Sequence, residues 1–137
     1  NINIKNAKKF NNWDLVDVII PKTLGDFLLD KNRKTIYKLA KSKSMWDRRI
    51  SVLTCFAFIK NNELEDSLKI AKIHLKDKED LMHKAVGWML REIGKKDEKQ
   101  LIKFLKNNYN NLPRTTLRYA IERFQEKKRK EILKGKF

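Results

Sequence analysis

One cysteine, two histidines, two prolines and four glycines in 137 residues leave little material for several common kinds of site. A lone thiol, Cys55, cannot close an internal disulfide, and its place in the run Leu53-Thr54-Cys55-Phe56-Ala57-Phe58-Ile59 marks it as a small core residue. His74 and His83 stand at no spacing to each other or to Cys55 that suits a metal, so no metal site is expected. No stretch approaches the roughly 18 consecutive apolar residues of a membrane span. No charged, apolar and cleavable leader opens the chain, which reads as soluble and cytoplasmic.

Acidic residues are scarce beside basic ones, 17 against 33, for a formal net charge of +16. Such an excess favours a polyanionic partner, nucleic acid or an anionic surface, although an AT-rich genome coding for much lysine and asparagine gives the same composition. Also missing is any alternating apolar and polar run of the kind a half-buried strand requires. Instead, apolar residues recur at three- and four-residue steps almost throughout, and the pattern is helical from end to end.

Breaks at Asn11-Asn12, Ile20-Pro21, Asp30 to Asn32, Ser42 to Ser44, Asn61-Asn62, Lys76 to Lys78, Gly94 to Asp97 and Asn107 to Pro113 define the expected helices. These run over roughly 13–20, 22–29, 32–42, 45–60, 63–75, 79–94, 97–108, 114–124 and 126–134. Pro21 disfavours helix at Ile20 and can open the next one. Ser44 and Asp97 stand where a cap is needed, and Gly94 stands where a helix is expected to end. Trp13-Asp14 and Trp46-Asp47 are offset by 33 residues (46 − 13), and the register of Arg49 recurs at Lys84, 35 later (84 − 49). Helix pairs repeating in the mid-thirties imply an all-α solenoid, with a compact all-α bundle as the alternative. The length suits a single domain over residues 1–137. Because the chain starts at Asn1 and its first ten residues read as the end of a helix, a domain truncated at its N-terminus is expected.

Four features carry candidate chemistry. Trp13 and Asp17, four apart, share a helix face, and Asp17 precedes the apolar Val18-Ile19-Ile20, where a carboxylate is either paired or useful. Asp26, in Leu24-Gly25-Asp26-Phe27, fits the same description. Lys84, Trp88 and Arg91 form one stripe at i, i+4 and i+7 of an otherwise very apolar helix, and Gly87 within it implies a close approach by another helix. Arg49, three residues after Trp46, can look toward the side of Arg91 while Arg48 points elsewhere. Each has a plain alternative: a core tryptophan edged by snorkelling cations, or an ordinary surface ion pair.

The segments 12–17, Gly25-Asp26, Trp46-Asp47-Arg48-Arg49, 56–59, 83–92 and 113–122 together resemble the bacterial DNA alkylation repair family, the HEAT-like alkylpurine DNA glycosylases. Lys84-Ala85-Val86-Gly87-Trp88 followed by Leu90-Arg91-Glu92 is the strongest part, and the likeness spans roughly residues 10 to 133. It implies an α-solenoid of HEAT-like antiparallel helix pairs whose basic concave face grips duplex DNA. It also implies catalytic roles for Trp13, Asp17 and Trp88, and DNA contacts by Arg49 and Arg91, to which Lys84 and Arg118 are added. The expected substrate is duplex DNA containing cationic N3- or N7-alkylpurines, and the expected protein is a monomer without membrane partner or organic cofactor. A non-catalytic helical scaffold that binds nucleic acid or an acidic protein is the alternative.

Overall fold

The computed structural model describes residues 19–137, so Trp13, Asp17 and the helix expected over 13–20 lie outside the described residues, apart from the last two positions of that helix. The described chain is all helical: α1 Ile20–Leu28, α2 Lys34–Ala40, α3 Met45–Lys60, α4 Glu65–Ile73, α5 Asp80–Lys96, α6 Glu98–Asn108, α7 Arg114–Ala120 and α8 Glu126–Leu133. Short 3₁₀ turns, His74–Lys76 and Tyr109–Asn111, follow α4 and α6.

Local chemistry accounts for two of the boundaries directly. After α3, Asn62 takes the left-handed conformation at φ 64°, Glu63 N–H donates to Phe58 O at 2.9 Å, and Asn62 N–H donates to Ile59 O at 2.9 Å. These are the paired bonds of a Schellman stop, with asparagine in the place glycine usually takes. Asp97 caps α6 as expected, accepting from Gln100 N–H at 3.2 Å. Hydrogen bonds from the Gln100 side chain and backbone hold its carboxyl below the ordinary carboxylate value.

Three boundary expectations are corrected. Ile20 is itself helical, the first residue of α1, and Pro21 stands in the first turn, where its missing N–H forfeits no helical bond. Ser44 occupies the cap position of α3, but its side chain makes no cap bond; Ser42 Oγ instead accepts from Ser44 N–H at 3.1 Å and donates to Asp47 at 2.7 Å. Gly94 does not end α5, which continues to Lys96 until the extended Asp97 breaks it. The reason for a small residue at 94 is packing, since a Cβ there would stand 2.5 Å from Leu101 Cδ2 of α6.

Helices α1, α3, α5 and α7 contact one another in succession, while α2 and α4 pack on α3, and α4 and α6 on α5. The arrangement is consistent with an α-solenoid. Hydrogen bonds and ion pairs joining successive units span 29 to 33 residues, as in Arg48 to Asp77, Arg49 to Leu81 O, Thr116 to His83 O and Arg33 to Asp66. One apolar core, including Phe58, Ile70, Met82, Met89, Leu90, Ile93, Leu105 and Leu117, runs through all of it.

Close approaches set the spacing of the α1, α3, α5, α7 row. A Cβ on Gly25 would lie 2.6 Å from Ala57 Cβ and 3.0 Å from Thr54 O, and one on Gly87 would lie 2.5 Å from Tyr119 Cβ and 2.9 Å from Thr116 O. The two sets are related by the same 62-residue offset (87 − 25, 116 − 54, 119 − 57), two units of the repeat. Gly87→Ala, which would gain helix propensity in an open site, should therefore destabilise the fold by about 1–3 kcal/mol, because α7 meets the new methyl with backbone as well as side chain. Urea unfolding measures it; a stabilised variant would mean that α7 can back away.

Candidate nucleic-acid interface

The expected stripe on α5 is present. Lys84 is exposed, Arg91 is half-buried and Trp88 is 38% exposed, well above the surrounding Met89 and Leu90 at 0%. Trp88 meets the edge of Phe56 from α3, with ring centroids 4.8 Å apart and planes at 87°. At 100° per residue, Leu90 lies on the far side of α5 from Trp88, so burial of one and exposure of the other follow from a single orientation.

Around Trp88 a groove of about 360 Å³ is lined by Lys22 and Asp26 of α1 and by Leu53, Phe56 and Lys60 of α3. Phe56 and Lys60 also line a second groove of about 470 Å³, shared with Glu92, Lys95 and Lys96 of α5. Lys95 in turn lines a third of about 290 Å³, with Arg91, Arg123 and Phe124. The surface from Lys22 to Arg123 is thus a chain of shallow grooves edged largely by cations. Asp26, the carboxylate that fitted the same description as Asp17, faces the groove that holds Trp88. Phe56 and Lys60 were assigned no role from sequence, yet Arg49, Leu53, Phe56 and Lys60 recur at i, i+4, i+7 and i+11, the signal of a common face.

The four candidate cations have different surroundings. Arg49 is buried at 8% exposure, and its Nη1 donates to Leu81 O at 2.8 Å, joining α3 to the first turn of α5. Arg91 Nη1 forms an ion pair with Glu122, and its Nε lies 3.9 Å from Glu92. Lys84 Nζ is 3.4 Å from Asp80, one turn earlier and exposed to water, where such a pair is worth little. Arg118, on α7, is exposed.

Arg48 does point elsewhere. Its Nε donates to Asp77 at 2.8 Å, and Nη1 reaches the carbonyls of Ser42 and Lys43. Behind it, Ser51 Oγ is 3.0 Å from His74 Nε2, and His74 Nδ1 is 3.6 Å from Asp77. The residue types match a serine hydrolase triad, but the bonding does not. Ser51 Oγ donates to Arg48 O, so toward His74 it accepts, and Ser51 is fully buried. The network locks the α3–α4 unit together.

Burial pushes the His74 imidazole down to about 4, with the nearby Arg48 adding to the fall and Asp77 opposing it. The unfolded chain, with an ordinary value of 6.5, takes up this proton first. Stability carried by neutral His74 is therefore complete above about pH 7 and is lost between about 6.5 and 4, by up to about 3 kcal/mol. In unfolding titrations against pH, His74→Gln should show a smaller decline over that window; an equal decline would assign the acid sensitivity to other groups. Burial likewise raises Cys55 to about 12, leaving an unreactive thiol that donates to Ser51 O at 3.3 Å.

Among the described residues no group of three or more His, Cys, Asp or Glu stands ready to hold a metal ion. No described helix is long and apolar enough to cross a membrane. Neither the curated proteins nor the solved structures contain a match to the chain. The family model for DNA alkylation repair enzymes does match, over residues 2–124, a span that includes α1 to α7 and every candidate position named above. The chain belongs to the DNA alkylation repair enzyme family.

Proposed function

We propose that this chain is a monofunctional DNA glycosylase that hydrolyses the N-glycosidic bond of cationic N3- and N7-alkylpurines in duplex DNA. The observation that carries the reading is Trp88, a half-exposed indole held edge-on by Phe56 in a cation-edged groove, within a chain of the DNA alkylation repair family. A purine alkylated on a ring nitrogen already bears the positive charge, so it leaves as a neutral base, carrying the electron pair of the broken bond. The charge passes to the sugar, which becomes oxocarbenium-like, and water then adds at C1′ and gives up a proton.

What the protein must do is stabilise that sugar, and indole faces together with a carboxylate suit the task. In this reading Trp88 and Trp13 lie against the sugar and the base, while Asp17 faces the developing charge and orients or deprotonates the water. Helix pairs of the HEAT type present this surface as a basic concave face, where Arg49, Arg91, Lys84 and Arg118 hold phosphates without reading sequence. Shallow grooves favour selection by the lability of the cationic base over recognition of an extruded base in a deep pocket. No organic cofactor enters the chemistry.

The test is release of N7-methylguanine and N3-methyladenine from methylated duplex DNA, before and after Trp88→Ala. A cation–π contribution of about 0.5–2 kcal/mol corresponds to a fall of about 2- to 30-fold in release per folded molecule, scored beside a melt because the covered part of Trp88, packed edge-on with Phe56, contributes to stability as well. Release unaffected by the substitution would leave Trp88 as a packing residue and remove the support for this reading.

A further inference from the structure

We infer that the lysine faces of α6 and α8 form a second phosphate-binding surface, which holds another segment of duplex nucleic acid on a face distinct from that of Trp88. The basic excess is not spread evenly. Residues 95–137 hold 14 of the 33 lysines and arginines but 5 of the 17 acids, so they carry +9 of the net +16. A genome-wide preference for lysine would not by itself gather the excess at one end of the chain.

The fold then places that charge on one face. Leu101, Phe104 and Leu105 bury one side of α6, which leaves Lys99, Lys103 and Lys106, at i, i+4 and i+7, exposed on the other. Lys128 of α8 is brought to the same place by its 3.4 Å contact with Glu98. Between them lies a groove of about 540 Å³ floored by Ile102, and a second of about 380 Å³ shares Ile102 and Lys128 with it and continues to Lys127 and Lys136. Leu101 seats against Gly94, about 120° around α5 from Trp88 by the shorter way, and the lysines lie on the side of α6 opposite Leu101, so this face looks in a different direction from the indole, with Glu98 standing between it and the groove of Arg91 and Arg123.

Dimensions and chemistry favour a nucleic-acid backbone. Lys99 to Lys106 spans about 10 Å at 1.5 Å per residue, the length of about three phosphates of one strand at 3.4 Å each. Ammonium groups offer point charges to any phosphate and read no base edge. A lipid surface is the poorer fit, because a membrane-lying helix presents apolar residues for insertion. Here the half-buried Ile102 lines the groove among lysines, and Phe137, exposed at 47%, packs edge-on with Tyr109 at 5.6 Å, so the face offers no row of apolar residues for insertion.

The experiment is the stoichiometry of binding to a duplex of about one helical turn, for wild type and for Lys99→Gln/Lys103→Gln/Lys106→Gln/Lys128→Gln. Wild type should take up two duplexes and the quadruple variant one, with the salt slope of total binding smaller by about three to four. The same four positions changed to arginine should keep both duplexes, which separates charge from folding. If the Trp88 groove itself binds no DNA, wild type takes one duplex and the glutamine variant none, and the second surface stands without the glycosylase reading. A glutamine variant with unchanged stoichiometry and affinity overturns the inference. So does one that keeps both duplexes but loses capture by phosphatidylserine vesicles.

Discussion

Asp17→Asn should lose most release of N7-methylguanine from methylated duplex DNA while binding the duplex as tightly as wild type or more tightly. The expectation rests on the sign of one charge. A carboxylate repels phosphates and attracts an oxocarbenium sugar, so its removal relieves the first and forfeits the second. If Asp17 serves only as a partner in a structural ion pair, the melting temperature falls by many degrees and the rate per folded molecule is unchanged. Asp26 sharpens the comparison because it lines the groove beside Trp88. Loss of release in Asp26→Asn, with Asp17→Asn active, would move the catalytic carboxylate from one position to the other. A melt, a binding isotherm and a release rate on both variants decide between them.

The second large effect is on folding. Arg49→Ala should destabilise the protein by about 2–3 kcal/mol, because it removes a buried, charge-assisted donor from Leu81 O and leaves that carbonyl without it. Lys84→Ala and Arg118→Ala, at exposed positions, should stay within about 0.5 kcal/mol of wild type. In the proposed interface all three substitutions weaken duplex binding about equally across sequences, the mark of phosphate contacts. Arg91→Ala is different again: it frees Glu122, an added negative charge beside the phosphates, and should weaken binding more than Lys84→Ala. Chemical unfolding and binding isotherms measure the set. An Arg49→Ala variant as stable as wild type would mean that the bond to Leu81 is replaced at no cost.

Much that bears on function was legible before any coordinates. The helical class, the stop at Asn61-Asn62, the cap at Asp97, the stripe of Lys84, Trp88 and Arg91, and the close approach at Gly87 depend on residues within one or two turns of each other. A 100° step per residue carries that information along the chain. The order of the motifs likewise pointed to the DNA alkylation repair family, which the match over residues 2–124 bears out.

What the sequence could not determine is which partners meet across successive units, because those lie about 30 residues apart and depend on the depth to which each helix is stacked. Arg49 and Arg91 look alike as letters. Tertiary structure buries the first against Leu81 O and sets the second against Glu122. It draws Lys22, Asp26, Phe56 and Lys60 around Trp88, from two other helices. It also turns Gly94 from an apparent helix end into a seat for Leu101. Periodicity says which side of a helix is apolar; only the packing of one helix on the next says what that side, and the polar side opposite it, will touch.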